Sequence, residues 1–462
     1  MIFNKEIDKY KNDIIKATRD LVMIPTVKKA PKEGCPFGND VARGLKYVLD
    51  LAESLGYTTK NLDGLCGYAE YGTGELYIGI FGHVDVAYEN EKEWEHNPYG
   101  AEVDNDKMYG SGVVDKGALI ASLYAIKAII DSNKTMERKI RIIIGTDNRL
   151  GYLDMKHYLS KENPPLAGIA IDGYFPVTYA EVAVAMMKYE TEINLKGEEH
   201  IEYITGGKAV NVVPDYCRAK IITERKNLDE KIRCFAEDNQ LEVNTTVFEE
   251  GIILETYGIS RHSAYIDSGV NAVIVMLQVL QFINIGNQKF KEIVRYLYEI
   301  FGVDYRGKTI GIAYKDSFSG ELTMNLGEIN LENNLLSVSF DGRFPVTCNY
   351  RKAMEEIDKS MISYGFLKKE CNYWPPIYFH RDNFLIKALL ESYKEVTKEE
   401  GEPYCSRTAS YAVGIPNIAA FGAAVPGRIP HWDSKDEFIG IEELHRTSKI
   451  YASAIYRMCN DI

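Results

Sequence analysis

Over its first third the chain alternates strand-like and helical patterns, and this limits the folds open to it more than any other feature. Glu75-Leu76-Tyr77-Ile78-Gly79-Ile80-Phe81 is a short apolar run, residues 116–132 have helical spacing, and Lys139-Ile140-Arg141-Ile142-Ile143-Ile144 is a second strand run. A short helical pattern at 153–160 and a third strand, Ala167-Gly168-Ile169-Ala170-Ile171, follow. Strands separated by helices of this length need crossover connections, which predicts a largely parallel sheet with helices on its faces. Functional groups then belong at the carboxyl ends of the strands. Helical spacing also covers 5–22 and 39–55.

From about residue 186 the pattern changes. Residues 187–196 alternate polar and apolar, further strand-like runs lie at 210–223 and 335–342, and helical patterns lie at 227–239, 269–283 and 352–364. That mixture predicts antiparallel sheet with helices. After about 376 the first pattern returns, with a helix at 382–399, the run Asn417-Ile418-Ala419-Ala420-Phe421-Gly422 and a helix at 441–458. The expected fold class is α/β: a split domain over 1–185 and 376–462, built on a mostly parallel sheet flanked by helices, with an inserted α+β lid domain over 186–375.

With 462 residues, 45% of them hydrophobic, the chain can form two or three domains with sizeable cores. A net charge of −13 and the absence of any Lys/Arg-rich run exclude a nucleic-acid binder. No apolar run reaches the roughly 18 residues of a membrane helix, and the first residues carry no secretory pattern. Eight scattered cysteines without a C-x-x-C pair read as reduced thiols. The expectation is a soluble, cytoplasmic protein with no membrane or nucleic-acid partner.

Gly82-His83-Val84-Asp85-Val86 directly follows the first strand run. His83 and Asp85, two apart on extended backbone, share a side, as a metal ligand and the carboxylate that fixes its tautomer would. Trp94-Glu95-His96-Asn97-Pro98-Tyr99 and Tyr109-Gly110-Ser111-Gly112-Val113-Val114-Asp115-Lys116-Gly117 follow in order. Together these resemble the ordered signature of the aminoacylase/carboxypeptidase/dipeptidase family of co-catalytic zinc peptidases, with bacterial PepV-type dipeptidases the nearest pattern. The resemblance continues through Gly145-Thr146-Asp147, Asp172-Gly173-Tyr174-Phe175-Pro176, Gly206-Gly207-Lys208-Ala209-Val210-Asn211, His262, Phe340-Asp341-Gly342-Arg343 and His431 with Asp436-Glu437.

The resemblance implies metal-dependent dipeptide hydrolysis. It implies that His83, Asp115 and Asp172 hold one zinc, that Asp115 bridges to a second, and that His431 and a glutamate complete the second. Asp85 would orient His83, His262 would stabilise the tetrahedral oxyanion, and Asn211 and Arg343 would grip the substrate and its terminal carboxylate. Two dications polarise the carbonyl and acidify their shared water while a carboxylate moves the proton.

The chain departs from the family at the chemistry itself. Where the family carries two consecutive glutamates, the general base and a metal ligand, this chain reads Asn148-Arg149. An amide cannot accept and return a proton near neutral pH, and guanidinium has no lone pair to donate. A fixed cation about 5 Å from a dication, at an effective dielectric of about 20, repels it by roughly 6 to 7 kcal/mol. Asp115 also runs straight into Lys116-Gly117, one residue short of the family pattern. A glycine-rich segment of the PepV pattern is replaced by Arg407-Thr408-Ala409-Ser410-Tyr411-Ala412, putting side chains where glycine leaves space.

The expectation is therefore a family member impaired in two-metal hydrolysis that holds at most one zinc and binds a small peptide or amino-acid-like ligand as a monomer. In this reading Arg149 pairs with Asp115 in place of the second ion. The rival is a hydrolase using a single metal at His83, Asp115 and Asp172 with a base from elsewhere. A purely structural partner protein is a third class, for which the sequence offers no positive sign.

Overall fold

The computed structural model describes residues 3–148, 151–195, 197, 199–424 and 435–461. They form two compact units: Met1–Ala180 with Ile377–Cys405 and Ser410–Ile462, and Glu181–Pro376 with Ser406–Ala409.

The first unit is built on a mixed sheet of nine strands. At its centre four strands run parallel in the order Lys139–Gly145, Tyr77–His83, Ala167–Ala170 and Ile418–Ala420. At one flank Cys66–Tyr71 and Thr58–Leu62 continue it antiparallel. Tyr77–His83 is buried along its whole length, as expected for a strand covered on both faces. The crossover from it to Lys139–Gly145 is the helix Val113–Asp131, which is apolar all round rather than on one stripe and buried on nearly every face. The shorter helix Leu153–Lys161 makes the next crossover. Successive strands therefore end side by side, and each carboxyl end delivers one residue of interest: His83, the Asp147-Asn148 turn, and Asp172.

The helical pattern at 5–22 resolves into two helices, Asn4–Lys9 and Lys11–Val22. The break is at Tyr10, whose ψ of 1° departs from helical geometry. Its ring meets Tyr124 and its hydroxyl donates to Asp131.

The second unit carries an antiparallel sheet of eight strands, from Val243–Phe248 at one edge to Leu367–Trp374 at the other. The helices Leu228–Asp238, Ala272–Ile283, Gln288–Tyr298 and Tyr350–Ser363 bury their apolar sides in its core. Asn271 caps the most apolar of them, its side-chain oxygen accepting the N–H groups of Val273 and Ile274 at 2.9 and 3.2 Å. The strand-like run at 210–223 forms a strand only over Tyr216–Ile222. Pro214, which has no N–H for the ladder, lies in the loop before it. Among the described residues no helix is long and apolar enough to cross a membrane.

Candidate functional site

In the first unit His83, at the end of its strand, is buried. Its Nδ1 lies 3.1 Å from the Asp85 carbonyl oxygen and 3.2 Å from Asp85 Oδ1. A proton held there leaves the lone pair on Nε2, which faces Asp115 Oδ2 at 3.6 Å.

Asp115 sits in the first turn of the helix Val113–Asp131. That turn is held by a residue to which the sequence pattern attached no role. Glu437, 1% exposed, accepts the N–H of Gly112 with Oε2 at 3.0 Å and that of Val114 with Oε1 at 3.2 Å. A carboxylate on the open N–H groups of a helix start is favoured by hydrogen bonding and by the helix dipole. Gly112 is required here: its φ is +67°, and a Cβ would come 2.4 Å from Val86 Cγ1. Lys116 follows Asp115 inward, 1% exposed, and its ammonium donates to the Ile24 carbonyl oxygen at 3.1 Å. Burial pushes its pKa down to about 7, while the carboxylates of Glu437, Asp85 and Asp115 oppose that shift.

The turn after Lys139–Gly145 is pinned from below. Asp154 accepts the N–H of Thr146 at 2.6 Å and that of Asp147 at 2.8 Å, and takes a hydrogen bond from the Tyr411 hydroxyl. The ring of Tyr411 crosses close over Gly145, where a Cβ would lie 1.6 Å from its oxygen. Asp147 is buried and ion-paired with Lys28 at 2.5 Å. Asn148 then turns its amide to Asp172, Nδ2 donating to Oδ2 at 3.3 Å. The same oxygen accepts the Tyr411 N–H at 2.8 Å. Asp172 Oδ1 is enclosed and has no hydrogen-bond partner among the described residues. Burial raises the Asp172 pKa to about 6; His83 opposes the rise and Asp115 adds to it. Arg149 and His431, and with them the expected Arg149–Asp115 pair, lie outside the described residues.

Asp154 carries a testable pH dependence. Burial, with Asp85 nearby, raises its pKa from 3.8 to about 6. A carboxyl raised in the folded state contributes stability that is complete below the unfolded pKa and is lost as pH rises through about 6. Relative to Asp154→Asn, the wild type is expected to be more stable at pH 4.5 than at pH 7.5 by on the order of 2 kcal/mol. Urea unfolding of both proteins at the two pH values measures this, and a gap that does not change with pH contradicts it.

In the second unit two short segments lie antiparallel, with a bridge between Val212 and His262. The Ser263 N–H donates to the Asn211 carbonyl at 2.9 Å, and the Val213 N–H to that of Arg261 at 2.8 Å. His262 Nδ1 accepts the Ala264 N–H at 3.2 Å, so the proton of the neutral ring is on Nε2. Burial and the charge of Arg343 push the His262 pKa down to about 3, which keeps the ring a neutral donor at physiological pH. Arg343 is buried against Asp341.

The segment that replaces the glycines does more than fill space. Arg407 donates to the carbonyl oxygens of Ser319 and Glu321 at 3.0 and 3.1 Å and to Thr323 Oγ1 at 2.9 Å, tying residues 406–409 into the second unit. Tyr411, four residues on, is a core residue of the first.

Among the described residues the donor set does not match a pair of metal ions. Asn148 offers no charge to one, and one oxygen of Asp172 is already taken up by two N–H donors. Among the described residues no three His, Cys, Asp or Glu side chains converge on a point where a metal would be held.

Comparison with known proteins identifies the family. Residues 79–457 match the profile of Peptidase family M20/M25/M40, whose enzymes are in general metal-dependent. The chain is 30% identical over 469 aligned positions to "Putative dipeptidase YtjP" of Bacillus subtilis (strain 168), covering 99% of this chain and 100% of that protein. It is 28% identical to "Putative dipeptidase SACOL1801" of Staphylococcus aureus (strain COL), covering 99% of each. Among solved structures, human carnosine dipeptidase 1 matches 99% of this chain with 98% of its own, at a TM-score of 0.63 and 12% identity. The di-peptidase Dug1p of Saccharomyces cerevisiae matches 98% with 97% of its own, at 0.58 and 13%. The structures share the fold, and by its full-length relatives and its profile the chain belongs to peptidase family M20/M25/M40.

Proposed function

We propose that this chain is a dipeptidase-family protein in which two-metal peptide hydrolysis is impaired, and that it binds a small peptide or amino-acid-like ligand. The observation that carries the reading is the hydrogen bond from the Asn148 amide to Asp172 Oδ2. A residue that cannot move a proton stands where the family's base is expected, and it donates to a carboxylate expected to hold metal. Arg149 next to it adds a permanent positive charge to the same stretch of chain. His262 as a neutral donor, with Asn211 beside it, retains polar groups suited to a peptide's carbonyls.

Metal analysis of protein purified without chelators tests the first half, with at most one ion per chain expected. Two ions per chain, lost on His83→Ala, would overturn it. The second half predicts thermal stabilisation by a dipeptide, worth about 2.7 kcal/mol at a hundredfold excess over its Kd.

A further inference from the structure

The helices Ala272–Ile283 and Gln288–Tyr298 of the second unit are joined by a short turn, Asn284 to Asn287. Beside that turn they border a cavity of about 220 Å³. Its floor is apolar: Leu280, Ile285, Phe290 and Val294, none more than 3% exposed. At about 30 Å³ per water molecule the space holds roughly seven, and waters on such a floor find few hydrogen-bond partners. A ligand with a short apolar tail gains by displacing them.

The polar lining offers donors and positive charge. Gln281 lines the cavity, and its Nε2 is enclosed with no hydrogen-bond partner among the described residues. Buried amide N–H groups are nearly always paired, so this one calls for an acceptor. Lys291 and Arg295, one helical turn apart, add two cations to the same lining. The carboxylate that joins them there, Glu292, accepts from Gln288 Nε2 at 2.8 Å. Two acidic neighbours do not cancel the remaining charge. Glu199, near Lys291, is already paired with Arg225 at 2.6 Å and accepts from Thr223 Oγ1 at 2.7 Å. Glu299 stands 3.9 Å from Arg295, both of them exposed, and such a pair contributes little.

An unpaired N–H donor, an excess of positive charge and an apolar floor together select one chemical class. We propose that this cavity binds a small carboxylate with a short apolar tail, its oxygens taken by Gln281 and Lys291 and its tail by Leu280 and Phe290. The site is independent of the peptide-binding reading above.

Calorimetry on the full chain with 3-methylbutanoate and with free leucine tests it. A dissociation constant of about 1 mM or tighter is expected for at least one of them. Leucine binding about tenfold tighter would assign an amino acid, its ammonium taken by Glu292; the reverse order would assign the simple acid. Neither ligand binding at about 10 mM would overturn the site. 3-Methylbutanamide has the same shape without the charge and is expected to bind at least about tenfold more weakly than 3-methylbutanoate. Equal affinity would overturn the carboxylate class. Gln281→Leu and Lys291→Met are each expected to weaken binding by about tenfold. Lys291 is partly exposed, so its variant decides the matter if Gln281→Leu does not fold. Undiminished binding in Lys291→Met would put the ligand elsewhere and overturn the site.

Discussion

Wild-type protein and His83→Ala, assayed against a panel of dipeptides with zinc, manganese or cobalt added, are expected to show the same background rate. Two independent losses lead to this result. A positioned general base is worth about 10²- to 10⁴-fold, and the amide of Asn148 cannot replace it. The metal pair that would polarise the carbonyl needs carboxylates, and in the proposed reading the chain offers Asn148 and Arg149 at the two positions where the resemblance implies glutamates. Restoring glutamate at both positions is not expected to recover the family's rate. The shortening after Asp115 remains, and so do the bulky residues from Arg407 to Tyr411, with Tyr411 locked to Asp154 and Asp172. Robust hydrolysis abolished by His83→Ala would refute the impaired reading and establish that a base and metal are recruited from elsewhere in the chain.

The second large effect is on stability. Arg141, 5% exposed on the strand Lys139–Gly145, joins Glu70 at 2.8 Å and Glu162 at 2.8 Å and donates to the Tyr158 hydroxyl at 3.2 Å. The rings of Tyr68 and Tyr77 stand 3.8 and 4.6 Å from its guanidinium carbon. Arg141→Met leaves two partly buried carboxylates and a buried hydroxyl without their shared partner; breaking a fully buried pair costs about 3–5 kcal/mol. Lys139 and Lys60 keep one contact each to Glu70 and Glu162, which puts the expected loss at the lower end. For a unit of this size that corresponds to a fall in melting temperature of about 6–12 °C. Arg141→Lys keeps the charge but not the fork and should fall between. A change below about 1 kcal/mol would show that the network is dispensable.

The alternating pattern of the first third made the central parallel strands legible, because a strand buried on both faces is a continuous apolar run and its crossover helix has a separate period. The second unit was harder to read. Its sheet is covered on one side, so its strands alternate, and several of them, including Gly251–Tyr257 and Thr323–Glu332, gave no run long enough to separate from loop. The helix Gln288–Tyr298 was also not distinguished, although Asn287 caps it by accepting the Phe290 N–H at 2.9 Å. At the site, motif order located His83, Asp115, Asp172, Asn211, His262 and Arg343 along the chain. Glu437 and Lys116 were in plain view but had no assigned role, since a helix cap drawn from more than 300 residues away has no local signature.

By itself the sequence determined the family, and it puts Asn148-Arg149 where the resemblance implies two glutamates, because side-chain identity alone says whether a group can carry a proton or donate a lone pair. It could not say where each hydrogen bond goes, since partners hundreds of residues apart meet only after the strands and helices have packed. The tertiary structure therefore decided that Asn148 turns to Asp172, that Glu437 closes the helix carrying Asp115, and that the guanidinium of Arg343 is already held by Asp341.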